Sequence, residues 1–311
     1  MNDGLNSRNP EILVDGVAYI DGAFCPIAEA RIPVLDFGFL HSDATYDVVH
    51  VWKGRFFRLD WHLDRFLSSV EKLRLALPFD RHGLTDVLME CVGRSGHSDA
   101  YVEMICTRGV SPTYSRDPRD AVNRFIAFAI PFAWIADAEQ RRRGLHLIVS
   151  SICRIPPQSV DPTVKNYHWL DLVKGQFEAY DRGGEIVVLT DGAGNVAEGP
   201  GFNIFVVKDG AVATPPGGVL EGITRKSVIA LCSELSIPID LRSVPVETLD
   251  HADEIFISST AGGIMAVTTV EHAAIADGRP GPVTGRLHDL YWAKHADPDW
   301  TTAVDFQGLS G

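Results

Sequence analysis

The sequence predicts a mixed α/β chain of the α+β kind, built as two halves. Three observations carry that expectation. Short β-like runs alternate with glycine turns over residues 11–58, helical apolar spacing takes over at Asp60, and a polar arginine-rich stretch near residue 140 precedes further strands with two helices among them. Strand hairpins mixed with separated helices argue against a doubly wound parallel sheet.

In chain order, Leu13-Val14 and Val17-Ala18-Tyr19-Ile20 flank Asp15-Gly16, and Tyr46 to Trp52 and Phe56-Phe57 flank Lys53-Gly54. Both read as hairpins. Leu63, Phe66, Leu67, Val70, Leu73 and Leu77 recur at helix spacing, with Asp60 as N-cap and Pro78 as the stop. Residues 84–95 read as a second helix, and Ala100 to Thr107 and Arg124 to Phe132 as strands. Asp137 to Gly144, with three consecutive arginines at 141–143, reads as a solvated connector. It sets a smaller N-terminal domain at 1–136, a linker at 137–141 and a larger C-terminal domain at 142–311. That second half holds expected strands at Leu145 to Ile152, Glu185 to Thr190, Phe202 to Val207 and Glu254 to Ser258. Its expected helices lie near 168–181 and from Thr224 to about Leu235.

Composition narrows the function classes. A chain of 311 residues with 45% hydrophobic and 22% charged residues has room for a sizeable core. Its 28 basic residues face 41 acidic ones, a net charge of −13, which repels nucleic-acid backbones and anionic lipid surfaces. No apolar run reaches the ~18 residues of a membrane span. Met1-Asn2-Asp3-Gly4 shows neither the basic nor the apolar part of a secretory signal. Five scattered cysteines suit a reducing cytoplasm rather than a disulfide framework, and no metal site is expected.

Five features can carry chemistry. Lysine is scarce, with seven against 21 arginines. Lys165 follows a Pro-containing loop and precedes a helix among aromatic neighbours, where partial desolvation lowers an amine pKa and makes a nucleophile. By position alone an ordinary surface lysine is the commoner reading. Thr190-Asp191-Gly192 and Glu198-Gly199-Pro200-Gly201 put a carboxylate among glycines at the mouth of an apolar strand, placed to meet a ligand nitrogen; a plain acidic turn reads the same way. Leu220-Glu221-Gly222-Ile223-Thr224 opens a helix whose free N–H groups suit an anion, or alternatively a simple threonine cap. Ser258-Ser259-Thr260-Ala261-Gly262-Gly263 supplies hydroxyls and close-approach glycines at a strand end. Arg65 borders the apolar stripe of the first helix, as a cleft counter-charge or a snorkelling side chain. Together they offer an amine for an imine, an acid for a ring nitrogen and a cradle for a phosphate, the partners pyridoxal phosphate requires.

At these residues the chain resembles the class IV, fold-type IV pyridoxal-phosphate aminotransferases, and within them most the (R)-selective amine transaminases. The matching strings are His41-Ser42-Asp43-Ala44-Thr45-Tyr46-Asp47-Val48-Val49, Gly54-Arg55-Phe56-Phe57-Arg58-Leu59-Asp60, Asp161-Pro162-Thr163-Val164-Lys165-Asn166, Glu198-Gly199-Pro200-Gly201-Phe202-Asn203, Gly222-Ile223-Thr224-Arg225-Lys226 and Thr260-Ala261-Gly262-Gly263. They run in family order from about residue 12 to residue 292. The resemblance implies a small N-terminal α/β domain, a barrel-like C-terminal one, and a homodimer with loops crossing between subunits. It implies a Schiff base on Lys165, Glu198 at the pyridine nitrogen, and Arg65, Ile223, Thr224, Ser259 and Thr260 around the phosphate. His41, Tyr46, Val48, Tyr101, Glu103, Arg116, Trp169 and Ala261 would serve the substrate.

Tyr101-Val102-Glu103 bears on specificity, because residues two apart on a strand share a face. By resemblance, branched-chain aminotransferases carry an arginine where this chain has Glu103. An anion there repels a carboxylate and removes its bidentate partner. The expected reaction is therefore transfer from an (R)-primary amine to a keto acid such as pyruvate, with Arg116 on the loop from Gly109 to Arg116 as the keto-acid partner. Pro200 stands where relatives have a small residue such as serine, and His62 and Asp64 also depart from the commonest pattern. The alternatives are a branched-chain or D-amino-acid aminotransferase, an aminodeoxychorismate-type lyase using the same lysine, and a non-catalytic binder on the same scaffold.

Overall fold

A computed structural model describes residues 14–306. Leu13 of the expected first hairpin, and residue 12 where the resemblance begins, lie outside the described residues. The first hairpin forms one turn later than expected. Strands β1 (Val17–Ile20) and β2 (Ala23–Pro26) pair around Asp21 and Gly22, whose φ values of 53° and 83° suit a tight primed turn. Gly16 answers a different need: a Cβ there would stand 2.4 Å from the Ala129 carbonyl of a neighbouring strand.

A short helix, α1 (Phe37–His41), is capped by Asp36 and leads into β3 (Ala44–Trp52). Lys53 and Gly54 turn β3 into β4 (Arg55–Phe57), as expected. Helix α2 runs Leu59–Lys72, so Asp60 sits in its first turn, favoured by the helix dipole, instead of capping it. The helix stops before Pro78 because Arg74 turns left-handed at φ 52°, and Leu75 packs into the core from irregular chain. Asp80 caps α3 (Arg81–Ser95), and β5 (Ala100–Val110) and β6 (Val122–Pro131) follow. Val49 and Val51 of β3 and Val102 and Met104 of β5 pack under α2 and α3. By strand alternation Tyr46, Val48, Tyr101 and Glu103 point to the opposite face. Val48 stands opposite Glu103 in the register.

The expected solvated connector is helical. Asp137 and Gln140 form a reciprocal capping box that starts α4 (Ala138–Arg143), and the Arg141 guanidinium sits over the Trp134 ring, 3.4 Å from its centre. A second sheet follows from β7 (Leu145–Cys153), helix α5 (Leu170–Asp181), β8 (Ile186–Thr190), β9 (Glu198–Gly199), β10 (Phe202–Lys208), β11 (Ala211–Thr214), helix α6 (Ile223–Glu234), β12 (Ile239–Leu241), β13 (Glu254–Ser259), β14 (Gly263–Val270) and β15 (Ala273–Ala274). Its order is β12-β11-β10-β13-β14-β7-β8, with β9 on β10 and β15 on β14. The Ala197 N–H donates to Leu189 O at 2.8 Å, which brings β8 beside β9 and curls the sheet toward a barrel. Ile204, Val206, Ile255 and Val267 fill the inside, while Phe205 and Phe256 pack outward under α6 and helix α7 (Pro282–Ala293). Neither α7 nor β14 is among the expected elements. Among the described residues the last strand, β16 (Thr301–Ala303), returns to pair with β4, so a segment of the C-terminal half completes the first sheet.

Candidate active site

A cleft of about 440 Å³ opens between the face of the first sheet opposite α2 and α3 and the rim of the barrel. Lys165 stands in it, on the loop from β7 to α5. Its backbone is pinned from the other sheet: its carbonyl accepts from Tyr46 N at 3.1 Å and from Thr45 Oγ1 at 2.7 Å. The ammonium lies 4.4 Å from the centre of the Tyr46 ring and makes no ion pair among the described residues. Burial, with the nearby Arg65 charge, lowers its pKa to about 8. An amine so poised is a competent nucleophile and base near neutrality.

Glu198, on β9, has both oxygens engaged. Oε1 accepts from Arg154 Nε at 3.0 Å and Oε2 from Leu220 N at 2.9 Å. Burial pushes its carboxyl above the usual range, while Arg154 and the Leu220 N–H oppose that rise. Asp191, the other acid of that glycine-rich region, is exposed and only organises its own turn.

An anion cradle lies at the start of α6. Gly222 precedes the helix without a side-chain cap, so the N–H groups of Ile223 and Thr224 keep no acceptor among the described residues. A Cβ on Gly222 would fall 2.1 Å from Asn203 Oδ1, and Asn203 in turn holds Leu220 O at 2.9 Å. Arg65 reaches the same loop through Nη1 to Glu221 O at 3.0 Å. Asp47, fully buried, grips Arg65 bidentately at 2.7 and 2.8 Å and accepts from His62 Nδ1 at 2.7 Å. Of the five guanidinium N–H groups of Arg65, one on each terminal nitrogen stays free. Thr260 lines the cleft beside Ser258, whose buried hydroxyl has no partner among the described residues. Ser259 is tied down, donating to Gly201 O at 2.9 Å. An amine, a buried carboxylate and a helix N-terminus without a side-chain cap fit pyridoxal phosphate.

On the substrate side, Tyr46 stacks on Tyr167 with centroids 4.4 Å apart. Tyr167 OH donates to Glu103 Oε1 at 2.9 Å and Tyr101 OH to Oε2 at 3.4 Å. Glu103 therefore sits behind the tyrosines rather than on the cleft wall, and burial raises its pKa. Val48, Tyr101, Trp169 and Ala261 do line the cleft. His41 and Arg116 are exposed and do not reach this chain's own cleft. Arg154, Asp47, His62 and Tyr167 escape a reading of the sequence as site residues. Only Asp47 gives a signal, a carboxylate inside the apolar run of β3, which requires a buried partner.

Comparisons with known proteins show which proteins the chain is similar to. A family model described as class IV amino-transferase matches residues 44–270. A Methanocaldococcus jannaschii protein with a provisional branched-chain-amino-acid aminotransferase name is 32% identical over 276 residues, covering 88% of this chain and 94% of that protein. A D-alanine aminotransferase of Listeria monocytogenes is 28% identical over 270 residues, covering 85% and 90%. Among solved structures, the branched-chain aminotransferase of the archaeon Thermoproteus uzoniensis with norvaline superposes with a TM-score of 0.86 at 27% identity, covering 94% and 100%. Another branched-chain amino acid aminotransferase, solved with pyridoxamine 5′-phosphate, superposes with a TM-score of 0.87 at 28% identity, covering 94% and 99%.

Proposed function

The chain belongs to the class IV aminotransferases, which use pyridoxal phosphate, and on that premise we propose a transaminase that takes amino groups from (R)-primary amines and passes them to a keto acid such as pyruvate. When bound, the cofactor supplies an aldehyde that exchanges for the amino group and an electron-poor ring that accepts charge as the substrate Cα–H bond breaks. Lys165 Nζ would hold the aldehyde carbon and, as a free amine, would take up and return the substrate's Cα proton. Glu198 would pair with the ring nitrogen. Arg65, Thr260 and the N–H groups of Ile223 and Thr224 would hold the phosphate. Proton transfer by a positioned amine contributes on the order of 10²–10⁴-fold.

The observation that carries the choice of donor is the cleft's charge inventory. Its cationic side chains are Lys165, Arg65 and Arg154. Arg65 is already paired with Asp47, and Arg154 with Glu198 and Asp171. Glu103 lies behind Tyr101 and Tyr167, and its position offers no cation. Among the described residues, no unpaired guanidinium of the cleft is left for a donor α-carboxylate, while Tyr46, Val48, Tyr101, Trp134 and Trp169 form an apolar wall. A second reading, a branched-chain or D-amino-acid aminotransferase, has better support from the comparisons, because the matched relatives carry those names.

A homodimer belongs to the same proposal. Helix α5 exposes Leu170, Val173, Phe177 and Tyr180 along one stripe, and α1 exposes Phe39 and Leu40. In such a dimer His41 and Arg116 would serve the partner's cleft, and Arg116 would meet the keto-acid carboxylate. Mixing the yellow holoenzyme separately with (R)- and (S)-1-phenylethylamine, L-leucine and D-alanine decides the donor. Fastest bleaching by the (R)-amine is expected. Faster bleaching by either amino acid establishes the second reading, and bleaching by the (S)-amine overturns the handedness. Glu103→Arg should shift the rate ratio toward L-leucine.

A further inference from the structure

Arg154 belongs to none of the motifs that mark the cleft, yet it makes the shortest ionic link to Glu198. It lies at the rim of the barrel, just beyond β7, with its side chain 14% exposed, between two carboxylates that are more buried still. Its Nε donates to Glu198 Oε1 at 3.0 Å and its Nη1 to Asp171 Oδ2 at 2.6 Å. Asp171 is fixed in turn: Oδ2 also accepts from Ile155 N at 2.9 Å, and the residue stands in the first turn of α5, where the helix dipole favours a carboxylate. The result is a buried row of alternating charge from Asp171 through Arg154 to Glu198.

Burial alone drives a carboxyl like Glu198 toward its neutral acid. A neutral Glu198 would keep the proton that a ring nitrogen opposite it needs. A guanidinium does not release its proton in a protein, so it is a permanent counter-charge. We infer that Arg154 is a positioning residue that keeps Glu198 a carboxylate and thereby leaves the shared proton on the cofactor's ring nitrogen. This rests on the reading above that Glu198 faces that nitrogen. The proton stays between the same two atoms throughout, and Arg154 decides which of them holds it.

Binding to the cofactor-stripped enzyme tests this. Two ligands are compared: pyridoxal phosphate, and the benzaldehyde analogue with the same phosphate, hydroxyl and aldehyde but a C–H in place of the ring nitrogen. Arg154→Gln should weaken pyridoxal phosphate by about tenfold or more, the equivalent of one pK unit. Its affinity for the analogue should stay within about twofold. Arg154→Lys, which restores the charge, should recover most of the loss, and in the reconstituted Gln variant kcat should fall more than KM rises. Equal weakening of both ligands, or a loss that lysine does not rescue, assigns Arg154 a purely structural role and overturns the inference. Should Arg154→Gln fail to fold, Asp171→Asn keeps the guanidinium and removes only its holder; it should lower the pyridoxal phosphate preference partly, and an unchanged preference overturns the inference. If wild type and Glu198→Gln both bind the two ligands equally, the reading of Glu198 falls and the inference with it. If wild type discriminates and Arg154→Gln discriminates just as well, the inference alone falls.

Discussion

Replacing Lys165 by methionine should make the cofactor-free protein more stable at neutral pH, the reverse of the usual effect of mutating a buried residue. The lysine is held at a pKa of about 8, against an ordinary 10.5. Its unfolded form therefore binds the proton more tightly than its folded form. Below pH 8 both states are charged and the fold carries the whole cost. Between pH 8 and 10.5 that cost disappears as the unfolded lysine also nears neutrality, so stability rises with pH. The shift corresponds to roughly 3 kcal/mol, reduced to about 2 kcal/mol because the cleft admits water. Methionine has a similar length and no charge to desolvate. Urea denaturation of the stripped wild type and Lys165→Met at pH 7 and pH 10.5 reads the difference directly. The variant should gain about 2 kcal/mol at pH 7, roughly 5 °C in Tm, and almost nothing at pH 10.5. A variant that is less stable at pH 7, or a gap that does not change with pH, would refute the idea that Lys165 is a desolvated amine in a site built for a ligand.

Three other outcomes follow from the same geometry. Asp47→Asn removes the charge that pairs with Arg65 at 2.7 Å, so it should cost about 3 kcal/mol of stability and weaken inorganic phosphate binding to the stripped enzyme; denaturation and calorimetry check both effects. His50 Nε2 and His295 Nε2 lie 2.7 Å apart, and His295 Nδ1 donates to Tyr291 O, so both rings are neutral in the fold. Burial lowers His295 to about 4, so the unfolded chain protonates first as pH falls below 6.5; wild type should lose on the order of 3 kcal/mol more than His295→Asn between pH 6.5 and 4, and parallel curves would contradict this. Leu170, 85% exposed on α5, and Phe177, 63% exposed, lie on the face proposed to pair two subunits, so replacing both by glutamate should leave the protein monomeric, as sedimentation would show.

Much of this fold is legible in local sequence, and the misses have physical causes. Lys53-Gly54 marks its hairpin because only a few residues accept two consecutive positive φ values. Asp80 to Gly96 bounds a helix with a cap at each end, and the apolar spacing places that helix to within three residues at its start. Leu73 and Leu77 imitate a longer helix because core contacts made past the helix end leave the same apolar spacing. Lys165, Glu198 and the Gly222-Ile223-Thr224 turn are visible because each combines a reactive type with backbone punctuation. Arg154 and Asp171 are not, since an arginine near a strand end and an aspartate in a helix's first turn are common surface features, and only the fold shows them locked against Glu198. The His50–His295 pair and the β4–β16 pairing join residues about 245 apart, beyond any periodicity.

Borohydride reduction of the yellow enzyme, followed by peptide mapping, tests the central claim most directly. The account predicts a single phosphopyridoxyl group, carried by Lys165. The same group on any of the other six lysines, or on none, would contradict it.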